Sequence, residues 1–181
     1  MRVEAPIKVD RKTKKLAKRL STGDIAVINH TDIDEVAANS LVECKIKLVI
    51  NAAPSISGRY PNKGPKILID NNILIIDNVG EKVFEDLKEG QIIEVNNGLI
   101  YRDGQLIGQG EVMDKSVVEQ KTKIAYENMS VELDRFIDNT IEYAKREKGF
   151  ILGETEIPKM ATDYKDRHVL VVVRGQDYKE D

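Results

Sequence analysis

The chain has 181 residues, of which 28 are basic and 31 acidic, and this near-neutral balance gives no general signal for nucleic-acid binding. Its 41% hydrophobic and 33% charged residues are typical of a globular protein of one domain, or one domain with an appendage. The sequence contains no apolar run of about 18 residues and no apolar core near its basic N-terminus, so we expect neither a membrane span nor a signal peptide. The single cysteine, Cys44, cannot form an internal disulfide, which favours a reducing cytoplasm.

Short apolar runs alternate with helical patterns in the first half of the chain, which predicts an α/β domain. We expect a short edge strand at 2–9, then a helix over 11–19 with Thr13 as its cap. The six basic residues of this helix are typical of a solvated face, or alternatively of a patch that contacts an anionic partner. Apolar runs at 25–28 and 46–51 predict two parallel strands joined by a right-handed crossover.

Between these two strands, His30, Asp32 and Asp34 are spaced in a way that invites a metal-site interpretation. The competing interpretation is a capping box at the start of a helix, where acidic residues also suit the helix dipole. We favour the capping box and predict no metal site. The helix is expected to end near Glu43.

Residues 51–65, which read NAAPSISGRYPNKGP and are called here the central loop, follow the second of these strands. Three prolines stiffen this loop, and no acidic residue occurs from Cys44 to Ile69. A stiff loop at the carboxyl end of a parallel strand is a common place for a binding site. We therefore predict an anion-binding loop, the alternative being a rigid crossover loop with incidental lysines. The candidate ligand-binding residues are Ser55, Ser57, Gly58, Arg59, Tyr60 and Lys63, although packing is the favoured role for the tyrosine.

The remainder of the first domain, predicted to span 1–111, ends in hairpins. A helix is expected to begin at Pro65, a favoured first helical position, and a strand at 73–76 and a helix at 81–87 follow. Asn97-Gly98 and Asp103-Gly104 are strong signals for two-residue hairpin turns between three strands. The predicted fold class is α/β, with a mixed sheet and C-terminal hairpins.

Residues 112–150 have the pattern of one long helix, or of two helices with a break near Met129. The apolar stripe of this helix must be buried against another surface. The same helix of a second copy can supply that surface, so we expect a homodimer through residues 115–148. Residues 151–181 are predicted to form a linker and then a buried strand at 168–173. That strand is expected to open a doubly wound domain that is missing here, so the chain is interpreted as a piece of a longer protein.

Three segments resemble the SteA family of putative cytokinetic-ring proteins, which are described as thiamin-pyrophosphokinase-like. They are GDIAVINHTDIDEVAA (23–38), NAAPSISGRYPNKGP (51–65) and HVLVVVRGQDYKED (168–181). The resemblance implies a role in bacterial cell division and envelope assembly, with a partner protein from that machinery. It also implies that ATP and Mg²⁺ belong only to the missing domain, and that membrane association of a cytoplasmic protein would use a C-terminal segment absent from this sequence.

The order of elements in the first domain is also similar to the swivelling phosphohistidine β/β/α domain of phosphoenolpyruvate-utilising enzymes. The step that carries the phosphorylated histidine there corresponds here to 62–65, which contains no histidine. We therefore expect a non-catalytic binding and assembly module without a cofactor of its own. The alternative is an accessory part of a thiamin-pyrophosphokinase-like enzyme, which would lend Arg59 and the serines to a site completed by the missing domain.

Overall fold

A computed structural model describes residues 2–154 and 165–166, and the chain divides into two compact units, Met1–Ile137 and Asp138–Asp181. The predicted strand at 168–173 lies outside the described residues. The strands are β1 Arg2–Val9, β2 Ile25–Ile28, β3 Leu48–Asn51, β4 Leu74–Asp77, β5 Ile92–Asn96, β6 Leu99–Arg102, β7 Gln105–Gln109 and β8 Glu111–Met113. The helices are α1 Thr13–Ala17, α2 Glu35–Glu43, α3 Gly64–Asp70, α4 Glu81–Asp86, α5 Lys115–Arg146 and α6 Lys148–Ile151.

The eight strands form one mixed sheet in the order β7-β6-β5-β1-β2-β3-β4-β8. Strands β1 to β4 run parallel to one another, while β5 to β7 form an antiparallel meander and β8 pairs antiparallel with β4. The sequence-based prediction of an α/β fold with a mixed sheet and C-terminal hairpins is therefore confirmed.

Both faces of the sheet are covered by apolar side chains. Helices α1, α2 and α3 pack on one face through Leu16, Leu41 and Leu68, and α4 packs on the other through Phe84. All four residues of β2 and all four of β3 are buried, as expected for central parallel strands covered on both sides. These two strands thus hold the loops that follow them at a fixed place.

Three details differ from the sequence-based expectations. Strand β1 is not an edge strand, because it pairs with β2 on one side and with β5, some 90 residues away, on the other. Thr13 does not cap α1, because it is the first residue of the helix and Lys12 is the N-cap, and the Thr13 hydroxyl lies 3.0 Å from Nδ1 of His30. Strand β8 extends the sheet beyond the hairpins, where the sequence predicted only the end of the domain.

Helix α5 continues through Met129, so the alternative with a break there is not observed. Within the first unit it buries Val118 and Ala125 but leaves several large apolar side chains exposed, among them Met129, Leu133, Phe136 and Ile137. Among the described residues, no helix is long and apolar enough to cross a membrane.

Candidate functional site

The carboxyl ends of β2, β3 and β4 meet at one edge of the sheet because the three strands are parallel. Polar residues stand at or directly after these ends, namely His30 after β2, Asn51 at the end of β3 and Asp77 at the end of β4. The central loop leaves the sheet at Asn51. This edge is where open parallel sheets most often bind ligands.

A buried network of hydrogen bonds fixes the inner part of the central loop. Asp77 is fully buried, and its Oδ1 accepts a hydrogen bond from the Ser55 hydroxyl at 2.5 Å and from the Ser55 backbone N–H at 2.9 Å. The Asn51 side chain donates to the Ser55 hydroxyl at 2.8 Å. Because each of these polar groups is paired inside the protein, the network locks the position of Ser55 rather than offering its hydroxyl to a ligand.

The same network joins the central loop to the loop after β2. The Asn51 side chain accepts a hydrogen bond from the His30 N–H at 3.0 Å and donates to the His30 carbonyl at 2.8 Å. Asp32 accepts hydrogen bonds from the Ser57 N–H at 2.6 Å and from the Ser57 hydroxyl at 2.8 Å. The two loops therefore form one connected structure, and both predicted serines have their hydroxyls engaged within it.

Burial raises the pKa of Asp77 above its ordinary value of 3.8. The hydrogen bonds from Ser55 and the charge of Lys121 act in the opposite direction, and the charge of Glu111 acts with burial. An ionised carboxylate at this position costs desolvation free energy, which the donors around it partly offset.

The outer part of the loop, residues 57–63 and called here the loop rim, is half-buried to exposed and carries the remaining predicted site residues. Gly58 has a positive φ of 83°, a conformation that suits glycine, and its carbonyl accepts a hydrogen bond from Asn128 of α5 at 3.0 Å. The Arg59 side chain is 69% exposed and lies 3.3 Å from the Glu132 carboxylate. The Lys63 side chain is 70% exposed and lies 3.0 Å from the Glu35 carboxylate, while Tyr60 is exposed.

The start of α3 is packed against a neighbouring loop. Gly64 is buried against the backbone of the loop after β2, so close that an added Cβ would lie 2.1 Å from the Ile33 carbonyl oxygen. Next to it, the Asn62 side chain donates hydrogen bonds to the carbonyls of Ile33 and Ser55. The first turn of α3 thus packs against the loop that follows β2.

Three residues with structural roles at the site were missed by the sequence-based prediction. Asn51 was placed where the strand passes into the central loop but was not among the candidate site residues, although a polar residue at the end of a buried strand is a signal for such a role. Asp77, directly after the predicted strand at 73–76, accepts hydrogen bonds from Ser55. Glu132, the actual partner of Arg59, is 73 residues away on α5, and no local pattern connects the two.

The cluster at His30, Asp32 and Asp34 has the helix-start geometry rather than that of a ligand set. Asp34 is the N-cap of α2, and its side chain accepts a hydrogen bond from the Ala37 N–H at 2.7 Å. Asp32 is engaged by Ser57. Within residues 2–154 and 165–166, no group of three or more His, Cys, Asp or Glu side chains is placed to hold a metal ion.

The fold and site therefore define an α/β protein with a hydrogen-bonded loop at the carboxyl edge of its parallel strands. No protein-family model matches the sequence, and no curated protein matches it. Among solved structures, it is similar to a 3-isopropylmalate dehydratase from Methanocaldococcus jannaschii. The identity is 13%, the match covers 81% of this chain and 99% of that chain, and the TM-score is 0.38. A similarity of this size carries no argument about function.

Proposed function

We propose that this chain is a non-catalytic binding and assembly module that binds anions at the loop rim. The observation that carries the proposal is the contrast between the two halves of the central loop. Its inner half is fixed by the buried hydrogen bonds of Asn51, Ser55 and Asp77, whereas its outer half presents Arg59 and Lys63 to solvent. A binding surface that is already rigid avoids much of the ordering cost of association.

The ion pairs that Arg59 and Lys63 form within the chain are compatible with ligand binding. The Arg59 side chain is 69% exposed although that of Glu132 is only 13% exposed, and Arg135 also pairs with Glu132, so Arg59 can turn to a ligand without leaving this carboxylate unpaired. Hydrogen bonds to a charged group are worth about 1.5–3 kcal/mol each, so a phosphate or an acidic side chain of a partner can displace the internal carboxylate. The planar fork of Arg59 suits either of these anions.

The serines of the loop support binding rather than catalysis. Ser55 is buried and donates to Asp77, and Ser57 donates to Asp32, so both hydroxyls stabilise the loop. The three segments that resemble the SteA family are what support placing the module in bacterial cell division and envelope assembly. On this basis, the natural ligand is an acidic side chain of a partner protein or a phosphorylated small molecule.

Substitution of Arg59 tests the proposal. An Arg59→Ala variant is expected to bind inorganic pyrophosphate about 1.5–3 kcal/mol more weakly than the unmodified chain, as measured by calorimetry, because it loses a charged hydrogen-bond donor. Its melting temperature should stay unchanged, since the Arg59 side chain is itself exposed and Glu132 keeps its ion pair with Arg135.

Arg135→Ala is the matched control for this experiment. Arg135 also pairs with Glu132, at 2.7 Å, and is 68% exposed, but it stands on α5 outside the loop rim. We expect its removal to leave pyrophosphate affinity unchanged. If Arg59→Ala instead lowers the melting temperature and leaves the affinity unchanged, Arg59 is a structural brace and the proposed site is wrong.

We further propose that the module assembles as a two-fold dimer through the exposed stripe of α5 within residues 115–148. Met129, Leu133 and Phe136 recur at helical spacing, and the phenylalanine side chain is 63% exposed. A contiguous apolar stripe on a helix is seldom left in water, and the same stripe of a second copy is a self-complementary cover.

The dimer is tested by sedimentation of Phe136→Glu at micromolar concentration and above. We expect the unmodified chain to sediment as a dimer and the variant as a monomer, because a carboxylate in the apolar contact lacks a partner. Val131→Glu adds the same charge on the opposite side of α5 and should remain dimeric. A pure monomer of the unmodified chain would contradict the proposal. The apolar stripe of α5 would then be covered by a different segment or by another protein.

A further inference from the structure

A groove of about 550 Å³ lies beside the central loop, at the carboxyl ends of β1 and β2. Its walls come from the start of α1 and from the first turns of α2, and residues 29–31 close its base. The volume falls within the range of about 300–1,000 Å³ that is usual for small-molecule sites. The groove is separate from the loop rim, and the site proposed above does not use its residues.

The charges around this groove favour an anion. Three basic residues, Arg11, Lys12 and Lys14, line it, against one acidic lining residue, Asp34, while Glu81 and Glu85 pair with Arg11 from outside the lining. Arg11 is held at the rim by an ion pair with Glu81 and by the ring of Phe84, whose centroid lies 5.0 Å from its guanidinium carbon. The Asp34 carboxylate is partly neutralised as the N-cap acceptor of α2.

The base and one wall of the groove add two further features. His30 is held in place by the Thr13 hydroxyl at its Nδ1, and its Nε2 lies 4.0 Å from the Asp34 carboxylate, so a hydrogen-bonding imidazole faces this space. Val36 on the α2 wall is 77% exposed, although it is a large apolar residue next to buried Ala37. A ligand with both an anionic and an apolar part would meet complementary groups on both sides.

We propose that this groove is a second binding site, for a small organic phosphate whose phosphate group lies near Arg11 and Lys14 and whose apolar part lies against Val36. Its position at the carboxyl edge of two adjacent parallel strands is the usual one for phosphorylated ligands in open α/β sheets. Guanidinium and ammonium groups supply charged donors, and His30 supplies a donor that orients the ligand.

Phenyl phosphate is a suitable probe, because it carries one phosphate and one apolar ring. Titrated into the isotope-labelled chain, it should shift the amide resonances of residues 11–14 and 29–37, and it should bind more tightly than inorganic phosphate. A Val36→Glu variant should bind phenyl phosphate about fivefold more weakly or worse, since the ring loses its apolar contact and a carboxylate enters the groove that holds the phosphate. The variant should fold normally, because position 36 is exposed and an acid suits the first turn of a helix.

Val131→Glu provides the control, because it makes the same substitution at an exposed position of α5. We expect this variant to bind phenyl phosphate as the unmodified chain does. The proposal is overturned if Val36→Glu binds as tightly as Val131→Glu, or if phenyl phosphate shifts no resonance of the groove. Arg59→Ala should leave the binding of phenyl phosphate unchanged. The experiments can therefore contradict the proposal for the groove without contradicting the one for the loop rim, and the reverse.

Discussion

A Gly64→Ala variant is expected to lose about 3 kcal/mol of unfolding free energy, the upper range for overpacking of a fixed interior. The added Cβ would lie 2.1 Å from the Ile33 carbonyl oxygen and 2.8 Å from that of Asp34. Both neighbours are backbone atoms, so no side-chain rotation can relieve the contact. The start of α3 must then move away from the loop that precedes α2, and the packing between these elements is lost.

Urea unfolding measures this effect, and Gly104→Ala is the comparison. Gly104 lies in the turn between β6 and β7, where an added Cβ meets no atom within 4 Å, but its φ is 76°. That variant should lose only the cost of a left-handed conformation, about 1–2 kcal/mol. Equal stability of the two variants would show that the close approach at Gly64 is absent.

An Asn51→Asp variant is expected to lose about 3–5 kcal/mol at neutral pH, the range for an uncompensated buried charge. Asn51 is fully buried, and its side-chain N–H groups donate to the His30 carbonyl and to the Ser55 hydroxyl. An aspartate has no such donor, so the carbonyl is left without its partner. The substitution also places a second carboxylate next to the Ser55 hydroxyl, which already donates a hydrogen bond to Asp77.

The loss should depend on pH in a defined direction. Burial raises the pKa of Asp77 above 3.8, and a second buried carboxylate nearby would raise the pKa values of the pair further. A carboxyl group whose pKa is higher in the folded state favours folding below its unfolded pKa, and this contribution is lost as the pH rises through the folded pKa. The stability difference between Asn51→Asp and the unmodified chain should therefore grow from about pH 4 to about pH 7.

Asn39→Asp is the matched control for this prediction, because Asn39 is exposed on α2. We expect it to change stability by no more than about 0.5 kcal/mol at either pH. A result in which Asn51→Asp unfolds like Asn39→Asp would mean that the buried network does not hold the central loop.

The sequence predicted those elements whose determinants are local. Both residues of each turn, Asn97-Gly98 and Asp103-Gly104, have positive φ, as two-residue hairpin turns require, and both hairpins are present. Strands β2 and β3 followed from apolar runs without a polar break. Their parallel pairing followed from the helix between them.

What the sequence could not provide depends on contacts between distant segments. The interior position of β1 depends on β5, and the buried state of Ser55 depends on Asp77, which is 22 residues further along the chain. The partner of Arg59 stands on a helix 73 residues away. A loop rich in serine, glycine and proline looks exposed throughout, and only the fold divides it into a buried inner half and an exposed rim.

Amide chemical-shift mapping with inorganic pyrophosphate tests the central claim most directly. If the loop rim is an anion site on a fixed loop, the shifts should concentrate on residues 57–63. They should also reach Glu132, whose carboxylate loses its contact with Arg59. The resonances of Asn51 and Asp77 should stay in place, because the buried network does not rearrange. An absence of shifts at residues 57–63 at millimolar pyrophosphate would contradict the account.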